Sequence, residues 1–186
     1  MKKLAQTLRF KKLRIALVTL GFAFAAQSVA ATSDAAPISA NCTGVPYRQF
    51  DFWLGDWDTF ETDIPGGPSI ARTRVKSIAQ GCAIHELYEQ SDGLIGESIL
   101  SFDAVRRQWQ QTWVTNRGAV MVISGNFKNG VMVLEGEVHL PDGKTVMQRI
   151  TWKRQADGVR ESAVLSKDRG KTWTPAFDVL FLKRKD

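Results

Sequence analysis

The sequence predicts an all-β chain. About ten antiparallel strands should run as an up-and-down meander that closes into a barrel, with a short helical plug at the N-terminal side. Three observations predict this. From Trp57 onward apolar and polar residues alternate, the two-residue period of strands with one buried face. Turn residues recur every 8–14 positions, the spacing of an all-β barrel or sandwich. After residue 50 no 3.6-residue period lasts long enough to make a helix beyond one or two turns at Tyr47–Leu54.

The strands fall at 57–62, 70–79, 83–90, 95–103, 108–115, 119–127, 130–140, 145–154, 159–166 and 172–184. Their breaks carry turn chemistry: Pro65-Gly66-Gly67-Pro68, Gln80-Gly81, Asp92-Gly93, Arg117-Gly118, Asn129-Gly130, Pro141-Asp142-Gly143 and Asp157-Gly158. Asn-Gly and Asp-Gly between strand patterns signal hairpins, because both residues tolerate positive φ. Sequential hairpins give a meander, and closing it removes two exposed edges. A sandwich is the competing arrangement. A barrel of this size holds side chains or one small ligand.

Before the first strand comes Phe50-Asp51-Phe52-Trp53-Leu54-Gly55-Asp56-Trp57-Asp58, four aromatics spaced by acids. We read it as the plug and the entrance to the first strand. Further upstream, residues 1–14 hold Lys2, Lys3, Arg9, Lys11, Lys12 and Arg14 and no acid, residues 15–26 are apolar, and Ser28-Val29-Ala30 offers small residues for cleavage. That is a secretory signal peptide over 1–30. Its apolar run is short of the roughly 20 residues a membrane span needs, so no stable membrane anchor is expected, and the protein should be secreted, into a bacterial periplasm. Residues 31–46, small and polar with two prolines, read as a flexible segment. The domain proper covers 47–186.

The charge argument follows from the leader. The whole chain carries 25 basic and 19 acidic residues. Without the six basic residues of 1–30 the two signs balance, so the folded part has no basic footprint for nucleic acid. About 156 residues remain, enough for one domain with its own core. The two cysteines, Cys42 and Cys82, are expected to pair in an oxidising compartment; two buried free thiols are the alternative.

Gly55-Asp56-Trp57 at the start of the first strand matches the G-x-W of lipocalin-like (calycin) barrels. The resemblance implies that Trp57 packs across the barrel floor beneath a basic residue from the end of the chain, here Lys183 or Arg184. A broader resemblance covers residues 48–186: FDFWLGDWD, Gly81-Cys82 with Glu86, Trp109, Gln111 and Trp113 with Gly118, Arg149 with Trp152, and Ser166–Trp173. These are similar to the bacterial domain-of-unknown-function family 1579. That implies a lipocalin-like fold and no established activity. The chain departs from the family at Val164, near an acidic position of its members. Ser166-Lys167-Asp168-Arg169-Gly170-Lys171-Thr172-Trp173 fits the Asp-box, S-x-D-x-G-x-T-W. In that motif the Asp caps turn N–H groups, Gly supplies the unusual φ, and Trp packs beneath. Asp168, Gly170 and Trp173 are therefore read as structural. A glycosidase propeller would need more blades than this chain has room for.

Few residues suggest chemistry. His85-Glu86-Leu87-Tyr88-Glu89 departs from the zinc signature H-E-x-x-H at its last position and reads as strand, whereas the signature needs a helix. No metal and no cofactor are expected; an axial His85 or His139 holding haem is the minor alternative. No G-x-S-x-G elbow occurs. The better constellation combines aromatic and polar groups. Trp109, Gln111 and Trp113 share one strand face, Glu86 shares one with Ile84 and Tyr88, and Arg149 shares one with Met147 and Thr151. If these faces point inward, Glu86, Tyr88, Trp109, Gln111, Trp113 and Arg149 line a pocket with apolar walls and a few orienting polar groups. The expected partner is a small, largely apolar molecule. Two other readings stand beside it: an enzyme using Glu86 as acid/base, its pKa raised by burial, and a structural module with a filled barrel.

Overall fold

A computed structural model of the chain describes residues 42–185. The expected signal peptide over 1–30, and residues 31–41 of the segment read as flexible, lie outside the described residues. Ten strands follow one another: β1 (Gly55–Glu61), β2 (Ala71–Ile78), β3 (Ala83–Gln90), β4 (Ile95–Asp103), β5 (Gln108–Thr115), β6 (Val120–Lys128), β7 (Val131–His139), β8 (Thr145–Arg154), β9 (Gly158–Ser166) and β10 (Thr174–Lys183). Each pairs antiparallel with the next, and β10 returns to β1, so the sheet is a closed barrel without an edge. At the seam Trp57 faces Lys183 and Glu61 faces Val179.

The hairpins form where the turn residues predict them. Between β6 and β7, Asn129 and Gly130 take φ of 52° and 81°, the left-handed pair that a two-residue hairpin requires. Alternation then decides what is buried. On β7 Met132, Leu134 and Val138 point inward, on β8 Val146, Ile150 and Trp152, on β9 Val159 and Ala163.

The chain enters through two 3-10 turns, Val45–Arg48 and Asp51–Trp53. They form the plug. The turn geometry sends Phe50 and Trp53, both fully buried, into one end of the barrel. Asp51 stays outside, 3.6 Å from Arg48. Phe50 meets the rings of Trp109 and Trp152 edge-on, with centroids 5.2 and 5.4 Å apart. Trp53 packs on Trp152 and Phe181. Such pairs contribute about 0.5–1.5 kcal/mol each beyond the area they bury. Two further ties fix the plug. Cys42 and Cys82 form a disulfide, joining the chain ahead of the plug to the β2–β3 connection, and the Arg48 guanidinium donates to the Gly81 carbonyl of that same connection.

Trp57 lies at this floor, 3% exposed, and its indole N–H donates to the Trp53 carbonyl at 3.0 Å. The ammonium of Lys183 sits 4.1 Å from its ring centroid and donates to the Leu54 carbonyl at 3.1 Å. Gly55 takes a φ of 156°, which residues with a side chain rarely adopt, and a Cβ there would also press on the Trp57 ring at 3.1 Å and displace the Lys183 ammonium. Of the two basic residues named for this position, Lys183 fills it. Arg184 does not. Alternation along β10 turns it outward, where it pairs with Asp58 at 2.6 Å.

The Asp-box closes the β9–β10 hairpin at the opposite end of the barrel. Asp168 Oδ1 accepts from the Ser166 hydroxyl and from the N–H groups of Lys171 and Thr172, and Oδ2 accepts from the Thr172 hydroxyl at 2.6 Å. The Thr172 hydroxyl first, then these N–H and Ser166 bonds, hold the Asp168 carboxyl down at about 2. Gly170 takes a φ of 84° and accepts from the Trp173 indole at 3.0 Å. The motif builds a turn, and none of its eight residues borders the interior cavity.

Candidate functional site

The plug fills only one end of the barrel. The other half encloses a cavity of about 850 Å³, within the roughly 300–1,000 Å³ of small-molecule sites. Its depth is bounded by Phe181 and Ile150. It opens among the connections β1–β2, β3–β4, β5–β6 and β7–β8 and the start of β10, which supply Asp63, Leu94, Ala119, Pro141 and Pro175 to the rim. All five lie at the end away from the plug, so the cavity has one mouth.

Its walls are aromatic and aliphatic. Tyr88 on β3 and Trp113 on β5 meet edge to face over β4, their ring centroids 6.1 Å apart and their planes at 65°. Gly96 makes that possible: a Cβ there would come within 2.1 Å of the Trp113 ring. Met121, Val179 and Phe181 continue the apolar surface. Set into it are Glu86, Gln111, Gln148 and Glu161.

Glu86 is 4% exposed and accepts from the Ser98 hydroxyl at 2.7 Å. Burial pushes its carboxyl up to about 7, and the Ser98 bond only partly opposes this. Glu161 is 9% exposed. Burial, then the nearby Glu86 carboxylate, hold it well above the usual carboxylate range. It makes no hydrogen bond to the described residues that meets normal geometry; the Trp152 indole, its cross-strand neighbour, turns toward it and offsets a little of the shift. Glu86 and Glu161 stand on β3 and β9, separated round the ring by β2, β1 and β10, and so face each other across the lumen. Tyr88 donates to Gln90 at 3.0 Å. Burial and then the two glutamates raise its phenol to about 12. Gln111 Oε1 is buried with no partner.

The six residues read from the sequence as pocket-lining separate into two groups. Glu86, Tyr88, Gln111 and Trp113 do come together in the cavity. Trp109 and Arg149 do not. Trp109 shares the face of Trp113 but sits four residues closer to the plug, about 13 Å along a strand, where it packs on Phe50 and Phe102 and donates to Gln49 at 3.1 Å. Arg149 faces outward. Its neighbours Val146, Ile150 and Trp152 lie on the buried face of β8, so the odd-numbered residues there point away from it. On the outer surface Arg149 pairs with Glu135 at 2.7 Å and lies 4.0 Å from the Trp173 ring centroid.

Glu161 was missed. Its signal lay in β9, where Glu161 shares a face with Val159, Ala163 and Leu165 while Arg160 and Ser162 take the other; a glutamate on the apolar face of a strand is a buried one. Gln148 was missed with the inverted face of β8. Of the two histidines, His85 faces outward and binds Glu97 at 2.8 Å, so it does not fit an interior axial ligand, while His139 sits exposed at the rim beside Thr145. Among the described residues, no group of three or more His, Cys, Asp or Glu is placed to hold a metal ion.

No family model matches the chain, and no curated protein matches it.

Proposed function

We propose that this protein is a lipocalin-like binding protein that carries a small, largely apolar molecule in the barrel. One observation carries the reading: the interior is hollow at the end away from the plug, with about 850 Å³ of space walled by Tyr88, Trp113, Met121 and Phe181. Side chains pack the plugged end without leaving such a space, so the hollow is a local property of the sequence rather than a general looseness of the fold. The resemblance of FDFWLGDWD, Trp109–Trp113 and Ser166–Trp173 to family 1579 belongs to the same proposal. So does export: no helix among the described residues is long and apolar enough to cross a membrane, and the Cys42–Cys82 bridge suits an oxidising compartment.

A neutral fluorescent probe, N-phenyl-1-naphthylamine, tests the reading. Saturable one-to-one binding with a blue-shifted emission is expected, weakened several-fold by Trp113→Ala. No saturable binding, or binding indifferent to Trp113→Ala, would overturn it.

One observation favours a second reading. A buried carboxyl held at about 7, as Glu86 is, suits general acid–base work near neutrality. That reading requires turnover of a bound molecule that Glu86→Gln abolishes while binding persists.

A further inference from the structure

The ionisable groups of the cavity are mostly carboxyls, with His139 at the rim beside them. Glu86 and Glu161 point into it from facing walls, and Glu61, Asp63 and Asp178 stand at its mouth. No lysine or arginine is among the residues that line it. Asp178 is matched by Arg160 on the outer surface. Glu161 has no basic partner among the described residues, and Glu86 has only a hydroxyl. Structural ion pairs are common elsewhere on this barrel, as at Asp56–Arg72, Glu89–Arg74 and Glu135–Arg149. Unlike these, the interior carboxyls are buried and have no basic partner among the described residues.

A second observation is independent of the acids. Gln111 lines the cavity; it is 3% exposed, and its Oε1 is sealed in the wall without a donor. A buried acceptor left open costs about as much as a lost hydrogen bond, so a turn of the amide that brought it to an N–H or O–H of an occupant would be favourable. Around these acceptors stand Tyr88 and Trp113, whose ring faces attract cations.

We propose, building on the reading of the barrel as a binding protein, that its ligand is a lipophilic organic cation. A protonated amine would place its ammonium between Glu86 and Glu161, within reach of Gln111, and lay its apolar body against Trp113, Tyr88 and Phe181. The ammonium supplies the counter-charge that neither glutamate has from the protein, and each carboxylate accepts one of its N–H bonds. A bare metal ion does not suit the site, because apolar walls surround two carboxylates rather than a full set of oxygen ligands.

Three probes of one shape separate the possibilities: 1-naphthylmethylamine, 1-naphthylmethanol and 1-naphthoate, titrated calorimetrically near pH 8 into the wild-type protein and into Glu161→Gln and Glu86→Gln. The amine should bind about tenfold or more tighter than the alcohol, and the acid should bind worst. In either glutamine variant, with an intact fold shown separately by far-UV circular dichroism, the advantage of the amine over the alcohol should shrink toward parity. Equal binding of amine and alcohol to the wild type would overturn the cation and leave the apolar pocket standing. An amine preference unchanged in both variants would also overturn it, by placing the charge recognition elsewhere. Failure of all three probes would overturn the pocket itself and this inference with it.

Discussion

The two ends of this barrel are built from the same ten strands and end in opposite states. At the plugged end Phe50, Trp53, Trp109 and Trp152 meet ring to ring, Trp57 bonds to the Trp53 carbonyl beside them, and the chain is tied down by a disulfide. At the open end the same alternation yields a hollow, with two glutamates and an unpartnered amide in its wall. The contrast shows how one sheet can divide stability and binding. Aromatic packing near the floor supplies the free energy that lets the far end keep groups a core would exclude.

Substitution at each end should break the comparison most visibly. Trp57→Ala removes a nearly fully buried ring and the donor to the Trp53 carbonyl, and should cost about 3–5 kcal/mol in urea melts. Trp113→Ala, bordering a void, has fewer neighbours to lose and should cost clearly less. Equal losses would mean that the open end is as densely packed as the floor.

The disulfide sharpens the same contrast. It closes a loop of 40 positions, and removing it as Cys42→Ser with Cys82→Ser should cost about 4 kcal/mol in the chain-entropy view. Because the bridge lies at the plugged end, affinity for the naphthyl probes should persist in whatever fraction stays folded. Loss of affinity in proportion to loss of stability would show that the two ends are mechanically one.

The smallest of these effects has the opposite sign. Glu86 in the unfolded chain loses its proton near 4.5, whereas in the barrel it keeps it up to about 7. Below 4.5 both states are protonated and burial of this group carries no differential cost. Stability then falls as pH rises from 4.5 to about 7, and above that interval the full penalty is about 3 kcal/mol. Glu86→Gln should therefore stabilise the protein near pH 8, and the gain should vanish toward pH 4. Melts at the two pH values check it; a destabilised variant at pH 8 would mean that the carboxylate is compensated in the fold after all.

The barrel itself was legible in the chain because its signals are local. Alternation from Trp57 onward and turn pairs such as Asn129-Gly130 report on neighbours in sequence, and closure follows from the need to remove the edges. The site was half legible. Glu86, Tyr88 and Trp113 lie on strand faces whose inward sense the surrounding apolar residues set. On β8 both faces carry apolar and polar residues, Met147 and Thr151 against Val146, Ile150 and Trp152, and choosing the wrong one turns every side chain over. That choice put Arg149 inside and left Gln148 out. Trp109 failed for a different reason: a two-residue period gives the face and not the depth, and depth here separates a plug contact from a cavity wall. Glu161 was readable in principle, but a carboxylate is customarily assigned to solvent, and only the three-dimensional pairing with Glu86 shows what it faces.

The seam between β1 and β10 has a consequence for how the molecule comes into being. Trp57 and Lys183 are partners across nearly the whole length of the domain, so the ring cannot be joined until its last stave has been made. Until then β1 and β9 present raw edges to any passing strand, and contacts so distant along the chain form slowly. The Cys42–Cys82 bond lies wholly within the earlier part of the chain and needs none of the later strands to form. An oxidising surrounding can therefore moor the plug beside the first hairpin before the vessel it stoppers exists, leaving closure of the wall as the final act of folding.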